Sequence, residues 1–311
     1  MSILITGADG QVGWEIARQA SVAGIEHYAL DRKALDIRDP DAVFRTVSRL
    51  APNAVINAAA CTNVDRAEND AEVAFAVNRD GALHLAQACA GNGIPLIHIS
   101  TDYVFDGRKS KPYTEADLAS PLGVYGKSKF AGEEAIRESY RKHIILRTSW
   151  VYGIHGHNFV KTMLRLGRER ERIQAVDDQF GSPTFARDFA AAVLELAQRS
   201  QSGTWPDEGF GTYHCAGAGI TTWYGFARAI FELAGPALER LPDVEPITTA
   251  DYPTPAERPA YSVLDCRRLA IIHGIVMRHW RLALAEMLTS VLGPLPASRA
   301  MATDRKLRGS E

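Results

Sequence analysis

Short apolar runs alternate with longer amphipathic stretches along the first half of the chain. The runs read SILIT, HYAL, AVINAA, PLIHIS and HIILRTS, and the stretches between them include residues 11–23, 41–50 and 71–90. Short β-rich runs that alternate with helical stretches predict βαβ units and a parallel sheet. The runs are continuously apolar, as expected of parallel strands that are buried on both faces. The pattern therefore predicts an α/β protein with a Rossmann-like, doubly wound parallel sheet.

The second half of the chain is less regular and predicts a smaller C-terminal α/β domain. The run TYHCAG near residues 212–217 has the composition of one more buried strand, which we expect to return to the first sheet. A helix over 223–234, a proline-rich region and an amphipathic helix near 281–292 follow it. The expected division is a dinucleotide-binding domain at 1–151 with about 186–217 returning to it, a substrate domain at 152–185 and 218–293, and a polar, disordered tail at 294–311.

A glycine-rich turn joins the first predicted strand to the first predicted helix. Gly7, Gly10 and Gly13 in TGADGQVG have the spacing GxxGxxG rather than GxGxxG. Glycines at such a turn let the backbone approach a pyrophosphate at the positive end of a helix, although any tight turn also favours glycine. Asp31 ends the second run, 18 residues after Gly13, where an acid can accept hydrogen bonds from the adenosine ribose. The order of strand, glycines, helix, strand and acid favours dinucleotide binding over a plain turn.

The cofactor type stays open at this stage. Arg32 directly follows Asp31 and could accommodate the 2′-phosphate of NADP, so both NADH and NADPH are compatible with the sequence. Asp36 and Ile37 are expected to flank the adenine. The remaining members of the predicted cofactor set in this loop are Gln11 and Val12.

The segment YGKSK places a tyrosine and a lysine four residues apart on a predicted helix. Tyr125 and Lys129 therefore lie on one face. A free phenol has a pKa of about 10, and a nearby ammonium is expected to lower it, so that the tyrosine can protonate a carbonyl oxygen as hydride reaches the carbon. The pattern YxxxK is also common by chance. VYG occurs twice, but Tyr152 is followed at the same spacing by Gly156, which singles out Tyr125.

Two further polar residues follow the run PLIHIS. Thr101 and Asp102 come at its carboxyl end, and ligands bind beyond such ends in open α/β sheets. Thr101 is either a second hydrogen-bond donor to the oxygen that Tyr125 protonates or a hydroxyl that satisfies a turn. Asp102 is either a proton relay or a cap.

Composition and charge narrow the classes of partner. The net charge is −2, from 35 basic and 37 acidic residues, and no basic block appears, which argues against nucleic acid or an acidic membrane surface. The four cysteines are widely spaced, which indicates reduced thiols and gives no support for a metal site. The longest apolar stretch, 54–61, is too short for a bilayer, and the N-terminus does not resemble a signal peptide. We expect a cytoplasmic protein, and whether it forms a homodimer stays open.

Several segments together carry a family resemblance. GADGQVG, NAAACTNVD, STDYVFDG, YGKSK, RTSWVYG and DDQFGSPT, in this order, resemble the extended short-chain dehydrogenase/reductases. They are most similar to the dTDP-4-dehydrorhamnose reductase family, and the similarity runs from residue 3 to about 265, where RPAYSVLD is similar to the family's RPxxSxLD. The resemblance implies hydride transfer from NADPH or NADH to the C4 carbonyl of the nucleotide sugar dTDP-4-dehydro-L-rhamnose, which gives dTDP-L-rhamnose.

The resemblance also implies a role for each matching residue. Gly10 to Gly13 would hold the pyrophosphate, and Tyr125 would donate the proton while Lys129 assists it and binds the nicotinamide ribose. Cys61 stands where the family usually has an aromatic residue or histidine. The ribose on the nicotinamide side would be lined by Ala60, Cys61 and Thr62, and the nucleotide sugar would contact Thr101, Asp102 and Trp150.

Arg258 and the pair Asp177 and Asp178 have competing interpretations. Arg258 is a candidate contact for the substrate diphosphate, because a guanidinium matches phosphate geometry, or it belongs to a surface salt bridge. The two aspartates are better explained as loop residues that shape the nucleotide pocket or the domain junction than as a paired-carboxylate site.

Three alternative functions stay open. A 4-epimerase or a 4,6-dehydratase could share this fold, although the dehydratases typically carry Thr-Asp-Glu where this chain reads Thr101, Asp102 and Tyr103. An NADP-binding regulatory subunit without catalytic activity is the third. The complete set of Thr101, Tyr125 and Lys129 favours an enzyme.

Overall fold

The computed structural model of the chain describes residues 1–201, 205 and 207–293. The tail expected to be disordered, 294–311, lies outside these residues. Over the described ranges, no helix is both long enough and apolar enough to cross a membrane.

The described residues contain one large sheet and three small ones. The strands are β1 Ser2–Thr6, β2 Glu26–Leu30, β3 Ala54–Asn57, β4 Leu96–Thr101, β5 His143–Thr148, β6 Val151–Tyr152, β7 Arg172–Val176, β8 Phe180–Gly181, β9 Thr184–Phe185, β10 Gly211–His214, β11 Thr221–Thr222 and β12 Asp243–Ile247.

Helices connect these strands and cover the sheet. They are α1 Gln11–Val22, α2 Pro40–Leu50, α3 Val64–Asn69, α4 Ala71–Phe75, α5 Gly81–Asn92, α6 Val124–Ser139, α7 Phe159–Glu169, α8 Ala186–Arg199, α9 Trp223–Ala234, α10 Arg267–His273 and α11 Trp280–Leu292. A π-helical segment, Ala76–Asp80, joins α4 to α5, and a 3₁₀ turn, Asp102–Val104, follows β4.

The large sheet has the strand order β10-β5-β4-β3-β1-β2, and all its neighbours are parallel. The chain places β2 on one side of β1 and β3 on the other, so the winding reverses between β1 and β3. In such sheets ligands bind beyond the carboxyl ends of the strands at this reversal. The predicted α/β fold with a doubly wound parallel sheet is confirmed.

Alternate residues of the central strands face opposite layers of helices. Ile3 and Ile5 of β1 belong to the core on the side of α1 and α8, which includes Phe189. Leu4 belongs to the core on the side of α2 and α5, which includes Leu85. The central strands therefore bury apolar residues on both faces, because helices cover both sides of the sheet.

A separate core lies between α7, α9 and α11, where Tyr152, Phe226 and Leu284 are buried together. The predicted strand near 212–217 is β10, and it pairs with β5 at the edge of the large sheet. Residues Leu269 and Met277 also pack in the core of the large sheet rather than in this second core. The division of the chain into 1–151 with 186–217, and 152–185 with 218–293, stays a prediction.

Helix α6 carries two ionisable side chains, one turn apart, into the interior. Lys129 and Glu133 are both buried. Glu133 accepts hydrogen bonds from Arg147 of β5 at 2.6 and 2.8 Å and from Ser100 of β4 at 2.6 Å, and it also pairs with Arg137. Burial alone would raise the pKa of Glu133, but Arg147 and then Arg137 hold it below its ordinary value. The ion pair therefore fixes α6 against the sheet.

The two arginines that pair with Glu133 provide a matched test of this contact. The Arg147 side chain is 3% exposed and that of Arg137 is 33% exposed. Arg147→Met leaves a buried carboxylate without its main partner, so we expect the free energy of unfolding to fall by about 4 kcal/mol. Arg137→Met should cost less than about 1 kcal/mol. Urea denaturation at pH 7 measures both, and equal losses would contradict the assignment.

Candidate active site

A cleft of about 830 Å³ opens at the carboxyl ends of the central strands. Most of the residues predicted from the sequence line it. Of the predicted residues, Gly13, Asp31 and Arg258 are the ones that the lining does not include. The predicted residues in the lining are Gly7, Gly10, Gln11, Val12, Arg32, Asp36, Ile37, Ala60, Cys61, Thr62, Thr101, Asp102, Tyr125, Lys129 and Trp150.

The glycine turn packs too closely for side chains. Gly7 has a φ of +67°, and a Cβ atom there would lie 2.5 Å from the backbone nitrogen of Ala59, just after β3. A Cβ atom on Gly13 would lie 2.2 Å from the carbonyl oxygen of Gly7. Gly13 therefore shapes the turn from beneath, although it does not line the cleft.

The start of α1 fits an anionic group. Its N-cap is Gly10, which offers no side-chain cap, and the first turn contains no acidic residue. The first N–H groups of a helix lack partners within the helix and attract anions. The residues present thus fit the pyrophosphate of a dinucleotide.

The end of the cleft that was predicted to bind the adenosine differs in detail from the expectation. Asp31 Oδ1 accepts hydrogen bonds at 3.0 and 2.8 Å from two backbone N–H groups of the turn that follows β2. Arg32 lines the cleft, with its Nε 3.7 Å from Asp36 Oδ2. The hydrogen bond from Arg38, with the nearby guanidinium charges, holds the pKa of Asp36 at about 2 despite some burial. A ribose contact by Asp31 stays a prediction, whereas Arg32 lines the cleft at this edge.

Asn78 holds the segment that follows β3, and the sequence analysis did not identify it. The backbone N–H of Cys61 donates to Asn78 Oδ1 at 2.8 Å, and Asn78 Nδ2 donates to the Cys61 carbonyl at 3.1 Å. Asn78 Nδ2 also donates to Ser128 Oγ of α6 at 2.9 Å. One buried amide thus fixes the predicted ribose-binding segment against the helix that carries Tyr125 and Lys129.

Tyr125 lies in the first turn of α6 and is buried. Its hydroxyl lies near the Thr101 side chain, and its ring meets the Tyr103 ring edge-on with centroids 5.5 Å apart. Gly126 allows the close contact between α6 and the 3₁₀ turn, because a Cβ atom there would lie 2.2 Å from the Tyr103 carbonyl oxygen. Glu68 accepts a hydrogen bond at 2.8 Å from the first N–H of α6 and so caps the helix. Thr101 and Tyr125 both line the cleft, and a shared hydrogen bond from both hydroxyls to one substrate oxygen stays a prediction.

Lys129 extends from α6 to the strand β4. Its Nζ donates to the Ile99 carbonyl oxygen at 2.6 Å and lies 3.2 Å from His98 Nε2. Burial lowers the pKa of Lys129 to about 8, against the opposing charge of Glu133. His98 was not identified from the sequence, because a histidine inside an apolar run gives no signal apart from its neighbours.

The expected effect of the lysine on the tyrosine is wrong for this structure. Burial raises the pKa of Tyr125 above its ordinary value, and the Thr101 hydrogen bond offsets only part of that rise. The reason is that desolvation penalises a phenolate in the interior more than its neighbours favour it. Tyr125 therefore keeps its proton at neutral pH, which is the form that a proton donor needs.

Thr101 and Asp102 form a buried pair at the end of β4. Thr101 Oγ1 donates to Asp102 Oδ1 at 3.1 Å and accepts from the Tyr103 backbone N–H at 3.2 Å, so it serves both the turn and the cleft. Burial raises the pKa of Asp102 to about 6, and the nearby Ser262 and Thr101 hydroxyls offset part of the rise. Ser262 is close, but its geometry leaves Oδ2 without a hydrogen-bond partner among the described residues.

Trp150 forms one wall of the cleft in an uncommon backbone conformation. Its φ is +48°, and its ring stacks on Trp223 with centroids 3.6 Å apart and planes at 6°. A Cβ atom on Gly181 would lie 2.4 Å from the Trp150 ring. Trp223 also lines the cleft, and its Nε1 donates to Gln179 Oε1 at 3.2 Å. Both members of the stacked pair therefore line the same cleft as Tyr125.

The loop after β6 lies on the glycine turn. Asn158 Nδ2 donates to Gln11 Oε1 at 3.0 Å. The ring of His155 stacks on Trp14 with centroids 4.8 Å apart, and its Nε2 lies 3.0 Å from the Asp9 carbonyl oxygen. Local sequence patterns could not predict these contacts, because the loop and the glycine turn are far apart in the chain.

Arg258 is held by an ion pair at the edge of the site. Its Nη2 lies 2.8 Å from Asp65 Oδ2 and its Nη1 lies 3.5 Å from the Tyr103 hydroxyl. The diphosphate contact predicted for Arg258 stays a prediction.

Asp177 and Asp178 have local structural partners. Each accepts a hydrogen bond of 2.6 Å from a threonine hydroxyl, of Thr222 and Thr249 respectively. Across the part of the chain that the structure describes, no group of three histidine, cysteine or acidic side chains is arranged to hold a metal ion.

Comparison with known proteins identifies the family. Residues 1–292 match the family model described as the RmlD substrate binding domain. The chain is 45% identical over 288 residues to the dTDP-4-dehydrorhamnose reductase of Aggregatibacter actinomycetemcomitans, which covers 92% of this chain and 97% of that relative. The chain belongs to the dTDP-4-dehydrorhamnose reductase family.

Solved structures of the dTDP-4-dehydrorhamnose reductase family share the whole fold. The enzyme from Clostridium acetobutylicum is 40% identical with a TM-score of 0.87, over 94% of this chain and 99% of that one. The Bacillus anthracis enzyme, solved in complex with NADP, is 37% identical with the same TM-score of 0.87, over 93% and 99% of the two chains. A Thermus thermophilus UDP-glucose 4-epimerase, 22% identical with a TM-score of 0.78 over 95% of this chain and 100% of its own, shares the fold alone.

Because the pKa of Asp102 is raised, the stability of this reductase depends on pH. The folded protein binds the Asp102 proton more tightly than the unfolded chain, whose aspartate pKa is 3.8. The Asp102 contribution to stability is therefore full below about pH 4 and is lost as the pH rises through about 6. Asp102→Asn removes this dependence. Relative to that variant, we expect the wild type to lose about 3 kcal/mol of unfolding free energy over this range.

Denaturant titrations of both proteins from pH 4 to pH 8 measure the difference. Asp36→Asn is the control of opposite sign, because the lowered pKa of Asp36 favours folding as the pH rises. A wild type and an Asp102→Asn variant with parallel stability curves would contradict the raised pKa.

Proposed function

We propose that this chain reduces the C4 keto group of dTDP-4-dehydro-L-rhamnose to dTDP-L-rhamnose with NADPH or NADH. The observation that carries the proposal is that Thr101, Tyr125 and Lys129 meet in the same cleft as the glycine turn of a nucleotide-binding sheet. Relatives of 39–45% identity over nearly their full lengths are named dTDP-4-dehydrorhamnose reductases, and this supports the choice of substrate.

The chain's residues suggest how the cofactor would be held. Gly7, Gly10 and the first N–H groups of α1 accommodate the pyrophosphate, while Arg32 faces the adenosine end. The segment fixed by Asn78 and the end of Lys129 lie where the nicotinamide ribose is expected. When bound, the nicotinamide supplies the hydride, and the protein contributes orientation and proton delivery.

Tyr125 is the proposed acid. The phenol holds its proton because burial raises its pKa, and its hydroxyl lies near that of Thr101. A C4 oxygen placed beside both hydroxyls could accept a proton from Tyr125 as negative charge develops on it, and a hydrogen bond from Thr101 once that hydroxyl turns away from Asp102. The tyrosine then regains a proton from solvent to complete the cycle.

Trp150, Asp102 and Arg258 are the proposed substrate contacts. Trp150 with Trp223 supplies an apolar face for a sugar or base, and the Oδ2 atom of Asp102 can accept from or donate to a sugar hydroxyl according to its protonation. Arg258 would have to share its guanidinium between Asp65 and a diphosphate. The four free cysteines support a reducing, cytoplasmic setting for the reaction.

Tyr125→Phe tests the assignment, and the second VYG tyrosine provides a matched control. The Tyr152 hydroxyl donates to the Trp280 carbonyl at 3.3 Å inside the second core, away from the cleft lining. We expect Tyr125→Phe to lower kcat by 10²–10⁴-fold, because the general acid is removed, with little change in the KM for NADPH. Tyr152→Phe should keep kcat within about twofold.

The assay follows loss of NADPH absorbance with the 4-keto sugar made in situ by a dehydratase and an epimerase. Near-wild-type turnover by Tyr125→Phe would overturn its role as the acid. Sugar turnover without stoichiometric loss of NADPH would indicate an epimerase instead.

Arg32 is expected to set the preference between the two cofactors. Its guanidinium lines the adenosine end, whereas Arg38 next to it is engaged with Asp36 at 2.5 Å. Arg32→Ala should raise the KM for NADPH by about tenfold, the effect of about 1.4 kcal/mol, and change the KM for NADH much less. Arg38→Ala is the control, and steady-state kinetics with each cofactor distinguish the outcomes. An equal change in KM for NADPH and NADH would contradict a contact between Arg32 and the 2′-phosphate.

A further inference from the structure

A buried glutamine outside the cleft lining contacts one of the two stacked indoles. Gln179 directly precedes β8, and it is 5% exposed. β8 pairs with β11 in antiparallel register, so that Thr222 lies opposite Phe180. Continuing this register places Trp223 opposite Gln179, which explains why two residues 44 positions apart in the chain meet. Trp223 lines the cleft and Gln179 does not, so any effect of the glutamine on a ligand is indirect.

The indole fixes the orientation of the Gln179 amide. Trp223 Nε1–H donates to Gln179 Oε1 at 3.2 Å, and an indole nitrogen is only a donor, so the amide oxygen must face it. The amide nitrogen therefore points the other way, where it donates to Thr249 Oγ1 at 3.0 Å. The Thr249 hydroxyl in turn donates its own proton to Asp178 Oδ1 at 2.6 Å. The four side chains thus form one directed chain of hydrogen bonds.

Two neighbouring aspartates anchor the segments at the ends of this chain. The backbone N–H of Thr249 also donates to the Asp178 carboxylate, 2.9 and 3.0 Å from its two oxygens. At the other end, Trp223 is the first residue of α9, and its N-cap is Thr222. The Thr222 hydroxyl donates to Asp177 Oδ1 at 2.6 Å. The pair of acids therefore holds both segments that Gln179 connects.

The position of Trp150 depends on Trp223. The Trp150 φ of +48° is a backbone conformation that residues other than glycine rarely adopt, so its surroundings must maintain it. The Trp223 ring lies on it with centroids 3.6 Å apart, while Phe159 meets Trp223 at an angle of 49°. Ring contacts tolerate sliding of one ring over another, whereas a hydrogen bond at Nε1 fixes the angle of the indole. Gln179 supplies that directional contact.

We propose that Gln179 is a positioning residue for the nucleotide sugar, which holds the Trp223 indole and, through the stack, the Trp150 wall of the cleft. It acts on binding of the sugar rather than on the chemistry, because it contacts neither Tyr125 nor the glycine turn. The effect on binding rests on the proposed reductase function and on Trp150 as a substrate contact. The hydrogen-bond chain itself depends on neither.

Gln179→Met removes both hydrogen bonds of the amide with little change in side-chain length. We expect the KM for the 4-keto sugar to rise about tenfold, because the indole loses the partner that sets its angle. The kcat and the KM for NADPH should stay within about twofold of the wild type, since binding of the sugar alone is weakened. Steady-state kinetics in the coupled NADPH assay measure the three values. An unchanged KM for the sugar, or an equal rise in the KM for NADPH, would overturn the proposal.

The two indoles can also be followed in the resting protein without turnover. In protein labelled with ¹⁵N-tryptophan, the Nε1–H signals of Trp150 and Trp223 are assigned from the signal that each Trp→Phe variant lacks. We expect Gln179→Met to speed solvent exchange of the Trp223 Nε1–H and to shift the Trp150 signal as the stack moves. An unchanged Trp150 signal would refute the positioning role and leave the proposed activity standing. A wild type that reduces no 4-keto sugar would refute the activity, and the indole signals would still decide the positioning.

Two adjacent threonines at exposed positions provide a matched pair of variants. Thr249→Val removes the acceptor of Gln179 Nε2, so it should change the sugar KM and the Trp223 signal in the same direction as Gln179→Met, by a smaller factor. Thr248→Val removes a hydroxyl that donates to Asp251 Oδ2 at 2.7 Å, outside the chain, and should change neither. Equal effects of the two valine variants would contradict the proposal. Should Gln179→Met fail to fold, this pair decides.

Discussion

The burial of two ionisable side chains on one helix imposes the main constraint on this molecule. Lys129 and Glu133 lie one turn apart on α6 and both enter the sheet. Each needs polar partners there, because an unpaired charge in the interior costs several kcal/mol. The strands provide them through His98 for the lysine and through Ser100 with Arg147 for the glutamate. The position of Tyr125, one turn before Lys129, follows from this attachment.

The same arrangement explains why the pKa of Tyr125 is raised. Helix α6, which carries Tyr125, packs tightly against the 3₁₀ turn and against the segment held by Asn78. This tight packing excludes water from the phenol. Exclusion of water raises the pKa of the phenol, and the Thr101 hydroxyl then orients it. The proposed reduction requires a tyrosine that is still protonated when hydride reaches the substrate carbon, and a raised phenol pKa keeps the proton in place until then.

Local sequence patterns predicted the structural features that are set by residues close to one another in the chain. The doubly wound sheet, the glycine turn before α1 and the facing of Tyr125 with Lys129 all follow from spacing and periodicity. Asn78, His98 and Trp223 could not be found in this way, because each acts through a partner 17 or more residues away. The direction of the Tyr125 pKa was missed for a related reason, since burial is a property of the folded chain.

The contact between Gly181 and Trp150 limits how this pocket can change. Trp150 adopts a left-handed backbone conformation that costs a non-glycine residue about 1–2 kcal/mol, and the Trp223 stack holds it there. Any side chain at residue 181 would meet the indole ring at 2.4 Å and displace it. A residue without a side chain therefore governs the shape of the cleft wall that Trp150 forms. A substitution at residue 181, which does not line the cleft, can thus alter the cleft from outside its lining.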